Sequence, residues 1–192
     1  MRLEAVRIIA DWLLNASFGV NTYIPLVPKD AADAAVPLIS AWTDPATAQV
    51  SALAVFDETR HAWAGNRLVD APATPGLTVF SRGRLLVEGE PTPDGQIRRT
   101  MTGVQVGIMY QSADSDLARA VTNGDYVLRA VQRSLRELSK NANEGNRKRN
   151  GVLLQQFEDP MELYPIVEAV GETYVAGVLL VNCKMRDYNP SF

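Results

Sequence analysis

The chain has 192 residues, 46% of them hydrophobic and 21% charged, and its 19 Lys+Arg against 22 Asp+Glu leave a net charge of -3. A chain of this length can bury roughly 70% of its unfolded surface in one domain, and its ordinary composition excludes intrinsic disorder, collagen-like repeats and a strongly basic nucleic-acid coat. One cysteine, Cys183, and one histidine, His61, exclude an intrachain disulfide framework and the common zinc sites, and fit a reducing compartment.

The opening segment, Arg2 to Leu14, places Leu3, Val6, Ile9, Ala10, Leu13 and Leu14 on one side at helical spacing, with Glu4, Arg7 and Asp11 on the other. Those charges break the apolar run that a signal peptide needs. The uncharged stretch Trp12 to Pro28 contains Asn15, Ser17, Asn21, Thr22 and two prolines, and cannot cross a bilayer as a helix. Ile8 and Trp12 lie beside the main stripe and call for a cover, either a second element of the same chain or another subunit. Gly19 closes the helix region.

Asn21 to Leu26 and Val50 to Phe56 read as strands, separated by a Pro-punctuated stretch that is mostly loop, with a short extended piece at Leu38 to Trp42. Asp57 to Pro75 reads as an irregular connection. Leu77 to Glu88 is extended and interrupted at Gly83, and Ile97 to Tyr110 is a central strand with Val104, Val106, Ile108 and Tyr110 on one parity. The Pro91-Thr92-Pro93-Asp94-Gly95 turn between them predicts a hairpin. Ser112 to Thr122 reads as a short helix closed near Asn123-Gly124, and Asp125 to Ser139 as another with an apolar stripe of Val127, Leu128, Val131, Leu135 and Leu138. Residues 140–151 hold no apolar side chain larger than alanine and are expected to be a flexible polar loop. Val152 to Phe157 reads as a strand, followed by breaks at Pro160 and Pro165, and Tyr174 to Arg186 as a long strand, apolar on the parity of Leu179, Val181 and Cys183. No internal repeat is present. Residues 1–192 are therefore expected to form a single α+β domain, with an antiparallel or mixed sheet flanked by two to three helices.

Chemistry-bearing constellations are sparse. Cys183 lies on an apolar strand parity, where a thiol is inert, and His61 is a lone loop histidine. The acid pairs Asp57-Glu58 and Glu88/Glu90 read as solvated surface groups. Phosphate-binding, dinucleotide-binding and nucleophile-elbow motifs are missing from the sequence. Catalytic, cofactor-binding and metal residues are accordingly expected to be none. Most arginines fall in four groups: Arg82 with Arg84, Arg98 with Arg99, the helical row Arg129, Arg133, Arg136, and Arg147-Lys148-Arg149. Such groups are either solvated faces or sites where a partner's carboxylates are met in fixed geometry.

The opening helix, the phrase Ala16-Ser17-Phe18-Gly19-Val20-Asn21-Thr22-Tyr23, the run Gly124-Asp125-Tyr126-Val127-Leu128-Arg129-Ala130-Val131 and the closing Arg186-Asp187-Tyr188-Asn189-Pro190 together resemble tail-terminator (tail-completion) proteins of long-tailed bacteriophages, over most of the chain and in order. The resemblance implies a small α+β virion protein, assembled in the host cytoplasm as a ring, commonly sixfold, on the head-proximal end of the tail tube. There it ends tube polymerisation and offers a docking face to the head-completion protein of the neck. It implies no cofactor, no catalytic residue and no membrane. Its partners would be copies of itself, the tube protein and the neck protein. Another neck component, such as a head-closure or adaptor protein, is the alternative. A head-to-tail ring needs two different complementary patches per subunit. Ile8, Trp12, Arg129, Arg133, Arg136, Arg147, Lys148 and Arg149 are the residues expected at such contacts, and the last three could instead meet passing DNA non-specifically.

Overall fold

The computed structural model describes residues 2–27, 41–43, 50–59, 63–64, 67–68, 75–91, 97–112, 115–165, 167–170 and 173–187. His61, the turn residues after Pro91 and the chain beyond Asp187 lie outside them.

Two helices pack on a mixed sheet. Helix α1 (Arg2–Leu13) buries Val6, Ile9, Ala10 and Leu13 of the expected stripe together with Ala5, whereas Leu3 and Leu14, at the two ends of that stripe, are exposed. Asn15 turns the chain, its Oδ1 accepting from the backbone N–H groups of Ser17 and Phe18 at 2.9 and 3.0 Å. The next segment corrects the sequence expectation: instead of a strand at Asn21 to Leu26 there is a short helix α2 (Val20–Tyr23) and a 3-10 turn (Ile24–Leu26). Its apolar residues favour a strand locally, but Val20, Ile24 and Val27 recur at helical spacing and all three are buried, so packing overrides propensity.

Strands β1 (Ala41–Thr43) and β2 (Val50–Ala52) pair antiparallel, and the expected strand at Val50 to Phe56 is divided at Leu53, where β3 (Ala54–Asp57) begins. The expected irregular connection contains a small hairpin of β4 (Trp63–Ala64) and β5 (Arg67–Leu68). The predicted hairpin is present as β6 (Gly76–Pro91) paired antiparallel with β7 (Ile97–Gln111). Gly83 does not end β6; at φ +139° it carries an irregularity of register that a side-chain-bearing residue would rarely adopt.

A single helix, α3 (Leu117–Lys140), replaces the two helices expected, and its N-cap is Asp116, whose Oδ1 accepts from the Arg119 N–H at 2.9 Å. Gly124, read as a stop, lies mid-helix for a different reason. A Cβ there would sit 2.1 Å from the carbonyl oxygen of Ala176, so glycine lets the helix backbone approach the sheet. The polar segment after α3, expected to be a flexible loop, has local turns held by its own side chains. Asn141 Oδ1 accepts from Asn143 N, Asn143 Oδ1 accepts from Gly145 N, and the chain makes a 3-10 turn (Glu144–Arg147) leading into β8 (Lys148–Arg149). Asparagine side chains supply the local bonds that apolar burial does not.

Strand β9 (Val152–Tyr164) runs through Pro160, against the expected break. This is tolerated because β8 covers only Val152 and Leu153, leaving the rest of β9 without a strand on its outer side among the described residues. After β10 (Glu168–Val170), strand β11 (Thr173–Asp187) completes the seven-stranded sheet in the order β3-β6-β7-β11-β9-β8, with β10 also on β11 and β3 parallel to β6.

The core lies between the helices and one face of this sheet. Register aligns Leu77 with Tyr110, Val79 with Ile108 and Leu179, Val106 with Val181, and Val104 with Cys183, all fully or almost fully buried. The odd parity of β11 faces α3, since a Cβ at Gly177 would meet Leu128 Cδ1. An α+β single domain, as the sequence implied, is the result. Among the described residues no helix is long and apolar enough to cross a membrane.

Candidate interaction surfaces

Helix α3 has its inner side committed to the core: Val127, Leu128, Val131, Leu135 and Leu138 are wholly buried. The helical repeat then forces Arg129, Arg133 and Arg136 outward, and all three are exposed, as the sequence spacing indicated. Their settings differ. Arg129 pairs with Asp125 one turn earlier at 2.9 Å. Arg133 lies over the Tyr23 ring, 5.7 Å from its centroid, and donates to the Leu26 carbonyl at 3.3 Å. Arg136 has no ion-pair partner among the described residues. Burial, then the nearby charge of Glu137, raises the Tyr23 hydroxyl above its ordinary value, with Arg133 opposing.

Apolar side chains border this basic row. Ser134 Oγ donates to the Phe18 carbonyl at 2.7 Å, and the Phe18 ring stacks on Trp12 at 5.4 Å while remaining 42% exposed. Leu26, beside Arg133, is 52% exposed. Arginine and aromatic side chains with apolar neighbours form the composition in which interface residues are enriched.

Ile8 and Trp12 require a correction. Both are only 3% exposed within the isolated subunit, and the Trp12 indole N–H donates to the Ser134 carbonyl at 2.9 Å. Trp12 is covered by α3 and Phe18, and Ile8 borders the turn before β8, so the cover that both residues call for comes from the same chain. What remains open beside them is a cleft of about 160 Å³ between the end of α1 and the turn before β8, lined by Ile8, Asp11, Trp12, Asn146, Lys148 and Arg149 among others.

The basic triplet is largely engaged within the chain. Arg147 Nη1 donates to the Gln155 carbonyl at 3.4 Å, Lys148 pairs with Glu144 at 2.8 Å, and Arg149 pairs with Asp11 of α1. The hydrogen bond and charge of Lys148 hold the Glu144 carboxyl below its usual range. The acid pair Asp57-Glu58 is not solvated as expected. Asp57 is fully buried, its Oδ1 accepting from the Thr59 N–H and hydroxyl at 2.9 and 2.5 Å, and Thr59 Oγ1 accepts from Arg7 Nε at 2.8 Å. Glu58 Oε1 accepts from the Ser81 N–H at 3.0 Å. This network fastens α1 to the β3 end of the sheet; the sequence carried no signal for it beyond a short Asp-x-Thr turn.

An acidic surface escaped the sequence reading. Residues 155–172 carry five acidic residues and no basic one, whereas 129–149 carry seven basic residues against two acidic. Glu158 aligns with Asn182 and Glu162 with Leu180, the parity opposite to that facing α3, so these carboxylates occupy the sheet face away from the helices. Glu158 pairs with Lys184 at 3.1 Å, and exposed Glu162 accepts from the Tyr164 hydroxyl, which raises that hydroxyl above its ordinary value.

Cys183 is buried, and desolvation pushes its thiol well above the ordinary value. Among the described residues, no group of three or more His, Cys, Asp or Glu side chains could hold a metal ion. The sequence matches no protein-family model and no curated protein.

Proposed function

We propose that this protein is a structural subunit of a bacteriophage neck, forming a ring at the head-proximal end of the tail tube that ends tube polymerisation and joins the tail to the head. The observation carrying this reading is the outer face of α3. A complete core leaves Arg129, Arg133 and Arg136 exposed in one row, engaged only at the surface by Asp125, Tyr23 and the Leu26 carbonyl and bordered by exposed Phe18 and Leu26. Three like charges within two turns repel one another, and exposed pairing recovers typically under about 1 kcal/mol each, so an acidic partner would relieve a local cost. The α+β architecture, a sheet flanked by helices, also supports it, since the family resemblance implies a fold of that class.

The test is genetic and visual. Inactivating the coding sequence in the phage that carries it should yield full heads without tails together with tubes of uncontrolled length, and the purified chain added back should cap those tubes. Normal tails joined to heads in the absence of the protein would refute the reading. Six 21.0 kDa chains would give a ring of about 126 kDa, measurable by native mass spectrometry of capped tubes.

A further inference from the structure

We infer that the subunits of such a ring join head to tail by charge, the basic outer face of α3 on one copy meeting the acidic β9–β10 margin of the next. The inference rests on the ring reading above and names its two contacting surfaces. Three observations lead to it. The charge of the chain is unevenly distributed, with a basic excess on α3 and the segment after it and an acidic excess on β9 and β10, where Lys184 on the same sheet face neutralises Glu158 in part. The two surfaces lie on opposite layers of the fold: Arg129, Arg133 and Arg136 point away from the sheet on the helix side, whereas Glu158 and Glu162 stand on the sheet face turned from the helices. A surface that complements the opposite side of an identical copy makes a heterologous contact, and repetition of that contact closes a ring or extends a filament.

Arg129 and Arg136 are seven residues apart, roughly 10 Å along a helix, and Glu158 and Glu162 face Asn182 and Leu180, only two residues apart on β11 across a register irregularity, a span of roughly 7 Å, so both rows are short enough for one side-chain contact. The β9 margin itself is unsuited to strand addition because Pro160 removes an amide donor, so the match is one of side chains and not of backbone ladders. Complementary charge of this kind fixes register and suppresses the wrong, like-charged approach of two α3 faces.

Cysteine pairing tests the contact directly, since the sole native cysteine, Cys183, is 1% exposed and will not compete. The full chain would be prepared as Arg136→Cys and as Glu162→Cys, mixed under mild oxidation at high concentration, and run without reductant. The expected result is a covalent dimer enriched at least tenfold in the mixture over either variant alone, and a ladder of higher multimers from the chain carrying both substitutions. Charge reversal supplies the second arm. Arg129→Glu with Arg136→Glu should weaken association at least tenfold, and adding Glu158→Lys with Glu162→Lys should restore it.

Absence of the mixed dimer, or equal cross-linking of each variant with itself, would overturn the inference. Annular particles that form normally with every charge reversed would overturn the contact while leaving the ring reading intact. Ladders that grow into open filaments without capping any tube would support the contact and count against the ring reading.

Discussion

Gly124→Ala separates local helix propensity from the packing of α3 on the sheet. In an isolated helix alanine is favoured over glycine by about 0.8–1 kcal/mol, so propensity alone makes the variant more stable. The structure gives the opposite sign. The new methyl would sit 2.1 Å from the Ala176 carbonyl oxygen and 3.0 Å from its carbon. The Ala176 peptide lies in a register irregularity of β11, but the residues flanking it are held in ladders, Val175 by β7 and β10 and Val178 by β7 and β9, which limits how far it can yield. The helix has to lift by roughly 1 Å, loosening contacts of Val127, Leu128 and Val131 with a close-packed interior. Overpacking costs about 1–3 kcal/mol, and contact with fixed backbone places this case near the top of that range, for a net loss of about 2 kcal/mol. For a chain of this length the corresponding fall in Tm is about 4–8 °C. Urea and thermal unfolding followed by circular dichroism would measure it, with Thr122→Ala on the outward side of the same helix as a control expected to change stability by a few tenths of a kcal/mol. A Gly124→Ala protein as stable as the native chain, or more so, would refute the close-approach argument.

Trp12→Ala should cost about 3–5 kcal/mol in urea unfolding and Trp12→Phe about 1 kcal/mol, through loss of the indole bond to Ser134; unchanged stability would place Trp12 outside the subunit core. Asp116→Ala should cost about 0.5–2 kcal/mol by removing the α3 cap, whereas Asp116→Asn should be nearly neutral in the same assay. The half-exposed Asp11–Arg149 pair should contribute less than about 1 kcal/mol, and a double-mutant cycle repeated in 1 M salt should return close to zero. Because burial raises the Cys183 thiol above its ordinary value of 9.0, the folded state retains a proton that the unfolded chain loses; stability should therefore be intact below about pH 8 and fall above pH 9, by up to about 1.4 kcal/mol per unit. That decline should be shallower in Cys183→Ala, and an identical slope in both proteins would contradict the burial argument.

Elements with long, consistent periodicity were legible in the sequence: α1, the β6–β7 hairpin, the apolar parity of β11 and the stripe of α3 all lie where spacing placed them. The misreadings share a cause, in that a local signal was outweighed by a distant contact. Gly124 looks like a helix terminus until the Ala176 carbonyl is placed beside it, and Pro160 looks like a strand terminus until β9 beyond Leu153 is seen to have no outer strand among the described residues. Asn21 to Leu26 has strand composition, but its burial follows helical spacing against α3. Of the candidate contact residues, the arginine row was readable because helical geometry alone turns it outward once the opposite stripe is buried. Ile8 and Trp12 were ambiguous because an apolar side chain beside the main stripe has the same pattern whether its cover comes from the same chain or another. The acidic margin of β9–β10 was hidden since its carboxylates are scattered among prolines and apolar residues, and only strand register gathers them on one face.

The sheet order also constrains how this protein can acquire its structure. Among the described strands β11 comes last in chain order, yet it stands between β7 and β9, so the β3-β6-β7 wing and the β9-β8 wing share no ladder until residues 173–187 are available. Before that moment the exposed margins of β7 and β9 are unpaired templates, and the inner surface of α3 has no floor. Contacts between β7 and β11 span a long stretch of chain and carry a corresponding closure entropy, which sets a slow and late commitment to the native state. A nascent chain therefore passes through an interval in which both wings are open to mispairing with other copies, and the concentration of unfinished chains, more than the stability of finished ones, governs the yield of usable subunits.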